Sequence, residues 1–246
     1  MTGFDRLLEL AKDEASILGI VLTGSRGRGT ARPDSDWDCY VIVSDDAPQE
    51  SLAAVDSLRR RSLDSVVLRL SDYETYASPD SSNAWEAYAF AHVMVYHEAL
   101  NSRIGEIAAA KEFLDPEVAQ RRTREVLDAY INQSVRAAKS LRDGEEGAAR
   151  LDQAEAVALA LETIFALESR VRPYNRYLAW ELECHPLSLP YDQDLPLTVK
   201  ALADGDVVRA ATLFRVIERC SRQSGWEEVL DAWKQQDLDL ARSEQP

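Results

Sequence analysis

The sequence predicts an α+β protein, with a small N-terminal α/β domain over residues 1–100 and an all-helical domain over residues 101–246. Two observations carry this prediction. Up to about residue 100, short apolar runs of strand length alternate with amphipathic stretches and turn-forming clusters. Beyond that point the periodicity becomes helical, with Asp and Pro at the starts and Gly and Pro at the stops. At 246 residues the chain can bury one large core or two modest ones. No internal repeat stands out.

In the first domain, Phe4, Leu7, Leu8, Leu10, Ala11, Ala15 and Leu18 recur at helical spacing, which predicts an opening helix over 4–18. The apolar run 19–23 reads as a strand that delivers a glycine turn, and Trp37–Val43 as a second strand. Asp45, Asp46 and Pro48 break it. Residues 48–61 read as a helix with a basic end, Arg59-Arg60-Arg61, and 65–70 as a third strand, β-branched at its start. The stretch 87–96 is ambiguous, with strand favoured in its second half.

The second domain, joined near 97–115, opens with a long helix over Pro116–Arg142. Asp115 is its N-cap, Pro116 fits the first turn and Gly144 ends it. Leu127, Ile131, Ser134, Ala138 and Leu141 form its inward stripe. A helix over 145–170 follows, Pro173 opens another, and Pro186, Pro190 and Pro196 mark a loop. Helices over 197–203 and 206–223 and a tail segment 226–233 complete the pattern. Tyr174, Asn175, Arg176 and Tyr177 are candidates for lining a cleft, whereas Trp180 reads as core.

Composition narrows the function. The net charge of −15 lowers the expectation of a nucleic-acid-binding face and would favour a cationic small molecule through long-range attraction. No apolar run reaches the length of a membrane span. The first residues are charged and amphipathic, unlike a signal peptide. Cys39, Cys184 and Cys220 are scattered, as expected of reduced thiols in a cytoplasm. His92, His97 and His185 show no zinc spacing.

The chemistry concentrates in Gly24-Ser25-Arg26-Gly27-Arg28-Gly29-Thr30 and Asp34-Ser35-Asp36-Trp37-Asp38. Asp36 and Asp38 are two apart at the start of a strand, so they project to one face, with Trp37 and Cys39 on the other. Adjacent carboxylates repel unless a cation sits between them. Mg2+, a hard ion that prefers oxygen ligands and accompanies phosphates, suits the position. The Gly-Ser turn offers backbone N–H groups and a hydroxyl to phosphate oxygens. No Gly-Lys-Ser/Thr follows, which argues against a P-loop, and the G-x-x-G-x-G spacing is not the dinucleotide fingerprint.

Gly-Ser, a spacer of about ten residues and Asp-x-Asp leading into an apolar strand resemble the signature of the nucleotidyltransferase superfamily typified by DNA polymerase beta. Within it, the small bacterial antibiotic nucleotidyltransferases look most similar. The resemblance covers roughly residues 18 to 70 by motif. It implies two Mg2+ ions held by Asp36, Asp38 and a third carboxylate on a neighbouring strand, for which Asp64 is the match. It places Gly24 and Ser25 on the β- and γ-phosphates, assisted by Arg26 or Arg28, one of which is expected to be merely solvated. Similar enzymes take a general base from beyond the third strand, and Glu86 and Asp64 are the candidates. Relatives with this layout also send cations from the helical domain onto the triphosphate. Here Lys139 is the candidate, with Arg136 and Asn132 on the same helix face.

The activity so implied is Mg2+-dependent transfer of a nucleoside monophosphate, AMP from ATP, to a hydroxyl of a small acceptor such as an aminoglycoside. A toxin-like or regulatory transferase acting on protein or tRNA, and a catalytically silent nucleotide-binding module, are the alternatives. Retention of both Asp36 and Asp38 argues against the last.

Overall fold

The structure is a computed structural model that describes residues 2–60, 62–79, 81–191 and 195–244. By its internal contacts the chain divides into two units, Met1–Phe113 and Leu114–Pro246. Each has its own core.

The first unit opens with α1 (Gly3–Asp13). Its start is fixed by a capping box, in which Asp5 N–H donates to the Thr2 hydroxyl at 3.0 Å and Thr2 N–H to the Asp5 carboxylate at 2.6 Å. The helix ends well before residue 18, because Ile17 and Leu18 are taken into β1 (Ile17–Leu22), where Ile17 pairs with Val43. There follow α2 (Gly24–Gly27), β2 (Trp37–Val43), α3 (Gln49–Asp56), β3 (Leu63–Arg69) and α4 (Leu70–Thr75). The unit closes with a 3-10 helix (Ala84–Phe90), β4 (Met94–Glu98) and α5 (Arg103–Glu112).

Two expectations need correction here, and a third, strand in the second half of 87–96, is met by β4. The helix predicted over 48–61 stops at Asp56, where the chain turns and the Ser57 hydroxyl donates to the Ala54 carbonyl; Arg61 lies outside the described residues. The ambiguous stretch 87–96 is a 3-10 helix running into a strand. The segment read as an interdomain joint contains α5, whose first turn is capped by Glu98: its carboxylate accepts from Ile104 and Gly105 N–H at 3.1 and 3.2 Å. With Ile104 fully buried against the sheet, α5 belongs to the first unit. The division therefore falls after Phe113 and not at residue 100.

The sheet has four strands in the order β3-β2-β1-β4. β2 and β3 are parallel, which requires the crossover that α3 supplies, and the other pairings are antiparallel. Alternation along β2 sends Cys39, Val41 and Val43 to one face, where they pack with Phe4, Leu7 and Val55. Tyr40 and Ile42 go to the other, with Tyr73, Phe90 and Ile104. β4 is an edge strand, and its Met94, Val95 and Tyr96 are 47%, 37% and 45% exposed.

The second unit is helical: α6 (Pro116–Arg142), α7 (Glu146–Leu167), a 3-10 turn (Asn175–Tyr177), α8 (Leu178–Cys184), α9 (Leu195–Ala203), α10 (Val207–Gln223), α11 (Glu227–Asp231) and α12 (Gln235–Arg242). α6 has the predicted bounds and cap, Asp115 accepting from Glu117 N–H at 2.9 Å. Leu127 and Ile131 are buried as expected, joined by Val126, Tyr130 and Val135. Ser134, Ala138 and Leu141 instead line a hollow shared with α7 and α10. α12 lies beyond the predicted tail segment and buries Leu238 and Ala241. Trp180 is only partly buried. Among the described residues no helix is long and apolar enough to cross a membrane.

Candidate active site

The site forms where the end of β1 meets the start of β2. Thr23 N–H donates to the Asp38 carbonyl at 2.9 Å, so the chain turns into α2 beside the first residues of β2. Gly24 has φ +63, a conformation that L side chains rarely adopt. A Cβ placed on it would lie 2.3 Å from Asp38 Oδ2. The sequence assigned this glycine to close approach of a phosphate; the structure shows a nearer neighbour, the carboxylate itself.

Asp38 and Asp64 are directly paired across the parallel β2–β3 ladder, so both project from one face of the sheet. Asp64 lies inside β3 and not just ahead of it. Asp36 precedes β2 and is exposed. Burial first, then the charges of Asp36 and Asp64, push Asp38 up from 3.8 to about 6, while Arg28 opposes the shift. Asp64 also bonds Arg59, at 3.1 Å, in an exposed ion pair that contributes little to stability. Arg59 was visible in the sequence only as one of three consecutive arginines. Among the described residues no three acidic, histidine or cysteine side chains converge as a metal set. Cys39, on the opposite face, is inert: burial holds its thiol up at about 12.

Neither arginine of the turn is simply solvated, contrary to the expectation for one of them. Arg26 donates to the Ser35 carbonyl from Nη2 at 2.6 Å and to the Asp36 carbonyl from Nε at 2.8 Å. Its guanidinium lies 4.2 Å over the Trp37 ring, which in turn stacks on Phe4 at 4.2 Å. It thus pins the loop that carries Asp36 onto α1. Arg28 is 7% exposed and donates to the Gly24 and Tyr88 carbonyls at 3.0 and 2.5 Å. It ties the glycine turn to the 3-10 helix that carries Glu86. The Thr23 hydroxyl bonds the Ala89 carbonyl in the same helix and so leaves α2 without a side-chain cap. The Ser25 hydroxyl makes no hydrogen bond among the described residues.

Glu86 is half-buried and accepts from the hydroxyls of Tyr40 and Tyr76. Tyr40 shares the face of Asp38, two residues along β2, and alternation alone could have singled it out. Tyr76 lies past α4, an element the sequence did not reveal, and carried no signal.

The family described as nucleotidyltransferase domain matches residues 4–128, just over half of the chain. The protein belongs to the nucleotidyltransferase domain family. Nucleotidyl transfer is therefore the activity class of this nucleotidyltransferase, and a nucleoside triphosphate its donor. A nucleotidyltransferase-like protein from Exiguobacterium sibiricum is 11% identical, with 86% of this chain and 76% of that one covered at a TM-score of 0.39. That likeness is too distant to transfer any property. No curated protein matches the chain. The nucleotidyltransferase match takes in the glycine turn, the three aspartates and Glu86 but ends within α6, ahead of Arg136 and Lys139. These last two belong to the helical unit and hold ion pairs there, Arg136 with Asp152 at 3.5 Å and Lys139 with Asp237 at 2.7 Å.

Proposed function

We propose that the protein transfers AMP from ATP, with Mg2+, to a hydroxyl of a small cationic acceptor such as an aminoglycoside, in the cytoplasm where ATP is made. The observation that carries the reading is the contact of Gly24 with Asp38. A turn with spare amides and a carboxylate field, separated in sequence, meet with no side chain between them. The donor chemistry suits Mg2+: Asp36, Asp38 and Asp64 offer only oxygen, and burial, then the charges of Asp36 and Asp64, raise Asp38. Bound there, divalent ions would neutralise charge on the attacking and leaving oxygens.

The chain's own residues would do the rest. Gly24 and Ser25 receive the β- and γ-phosphates, Arg28 fixes the turn, and Arg26 fixes the loop of Asp36. Glu86 is the base for the acceptor hydroxyl, with Asp64 kept for metal. The charge of −15 supports a cationic acceptor, in line with the resemblance to antibiotic-modifying enzymes.

The test is transfer of α-labelled nucleotide to a panel of aminoglycosides, tRNA and protein, with Mg2+ or with chelator. Label on an amine-rich sugar, lost with chelator, is the expected result. Label on tRNA or protein would move the acceptor assignment to the alternative class, and no transfer to any acceptor would sink the reading.

Lys139 and Arg136 enter as triphosphate ligands from the helical unit. Lys139 is 43% exposed and its partner Asp237 15%, so Lys139 would have to leave a largely buried carboxylate to reach a triphosphate. Lys139→Ala should weaken ATP binding roughly 10- to 150-fold, with less effect on AMP. Calorimetry showing equal ATP affinity would remove Lys139 from the site.

A further inference from the structure

Among the described residues, the donors to Glu86 are neutral hydroxyls. The Tyr40 hydroxyl donates to Oε2 at 2.9 Å. The Tyr76 hydroxyl spans both oxygens, 2.9 Å from Oε1 and 3.0 Å from Oε2. The two tyrosines are themselves fixed. Tyr40 stacks on Phe90 at 4.6 Å and meets Tyr76 edge-on at 5.7 Å. Lys111 Nζ lies over Phe90 and donates to the Tyr76 carbonyl at 2.7 Å. Among the described residues no cation pairs with Glu86. A carboxylate kept only for the fold would gain most from a cationic partner. This one is instead oriented by two hydroxyl donors.

A carboxylate offers about four lone-pair positions. Tyr40 and Tyr76 crowd Oε2, and Oε1 carries one shared bond. We propose that Tyr40 and Tyr76 are positioning residues that make Oε1 of Glu86 the atom that takes the acceptor's proton. The inference rests on the transfer reaction proposed above. In that step the acceptor O–H bond breaks and its proton goes to Oε1. The freed oxygen forms a bond to the α-phosphorus, and the bond to pyrophosphate breaks, the leaving oxygen keeping the electron pair. Once Oε1 is protonated, Tyr76 still has Oε2 within reach as acceptor, so the clamp survives the proton transfer.

The experiment uses the full chain with ATP and Mg2+. It measures AMP transfer to whichever panel acceptor reacts, and AMP release with water standing in as the hydroxyl. Tyr40→Phe and Tyr76→Phe remove one oxygen each and keep the rings packed. Each should lower kcat roughly 10- to 100-fold with KM for ATP and melting temperature unchanged. In a Glu86→Gln background, neither should cost anything more, because both act through Glu86. An active wild type with unchanged tyrosine variants, or losses that add fully to Glu86→Gln, overturns this inference alone. A wild type inactive towards every acceptor and water overturns the transfer reading and this inference with it.

Discussion

Asp38→Asn should abolish transfer and yield a more stable protein at neutral pH. The loss of activity, roughly 10²–10³-fold or more, follows from removing a charge that serves the developing transition state. The gain in stability follows from the sign of the Asp38 shift. Its folded value, about 6, lies above the ordinary 3.8. Between those pH values the folded protein keeps a proton that the unfolded chain has released, so stability falls as pH rises through the window. Asparagine does not titrate and escapes that loss. The advantage should be about 1–2 kcal/mol at pH 7.5, allowing for solvent screening, and should shrink towards pH 5. Thermal melts at the two pH values read it directly. Equal melting temperatures for variant and wild type at pH 7.5 would mean that the carboxylate is not strained, and retained turnover would mean that the site is elsewhere.

Gly24→Ala should also abolish transfer, but with the opposite effect on stability. Alanine at φ +63 costs about 1–2 kcal/mol in backbone strain. Its Cβ also claims the space of Asp38 Oδ2, 2.3 Å away, so the carboxylate must swing out of the field it shares with Asp36 and Asp64. The collision can be separated from the strain. In an Asp38→Ala background only the strain remains, so Gly24→Ala should destabilise less there than in the wild type. Equal destabilisation in both backgrounds would show that the carboxylate is not what the glycine accommodates.

The parts of the fold that could be read from sequence are those with strong local signals. β2 and α6 were placed at their observed bounds because one is an apolar run that follows a turn and the other carries an Asp cap, a Pro first turn and a Gly stop. α4, α5 and α12 were missed for a shared reason. They are short, and their stability comes from partners distant in sequence: Glu98 for the start of α5, α6 and α10 for α12. The site divides in the same way. Alternation read Asp36 and Asp38 as strand neighbours, whereas Asp36 lies just ahead of β2 and acts on Asp38 through its charge; β2–β3 pairing sets Asp64 opposite Asp38. The arginines misled because a charged side chain in a glycine loop reads as solvated. Only the folded chain supplies the Trp37 face and the Tyr88 carbonyl that engage them. Tyr76 and Arg59 act across gaps in sequence that no local pattern spans.

The outer strand of the sheet bears on how this protein must be handled. Among the described residues β4 pairs on one side only, which leaves backbone groups open beside Met94, Val95 and Tyr96, the kind of surface on which identical chains adhere. The strand is short, and the charge of −15 keeps copies apart in dilute buffer. That protection is colloidal and not structural. Salt at about 1 M shrinks its range to about 3 Å, and it vanishes near the isoelectric point of about 4.7. Concentrated stocks therefore belong in low salt above pH 6, and acid-side melts in dilute solution, where turbidity will not be mistaken for unfolding.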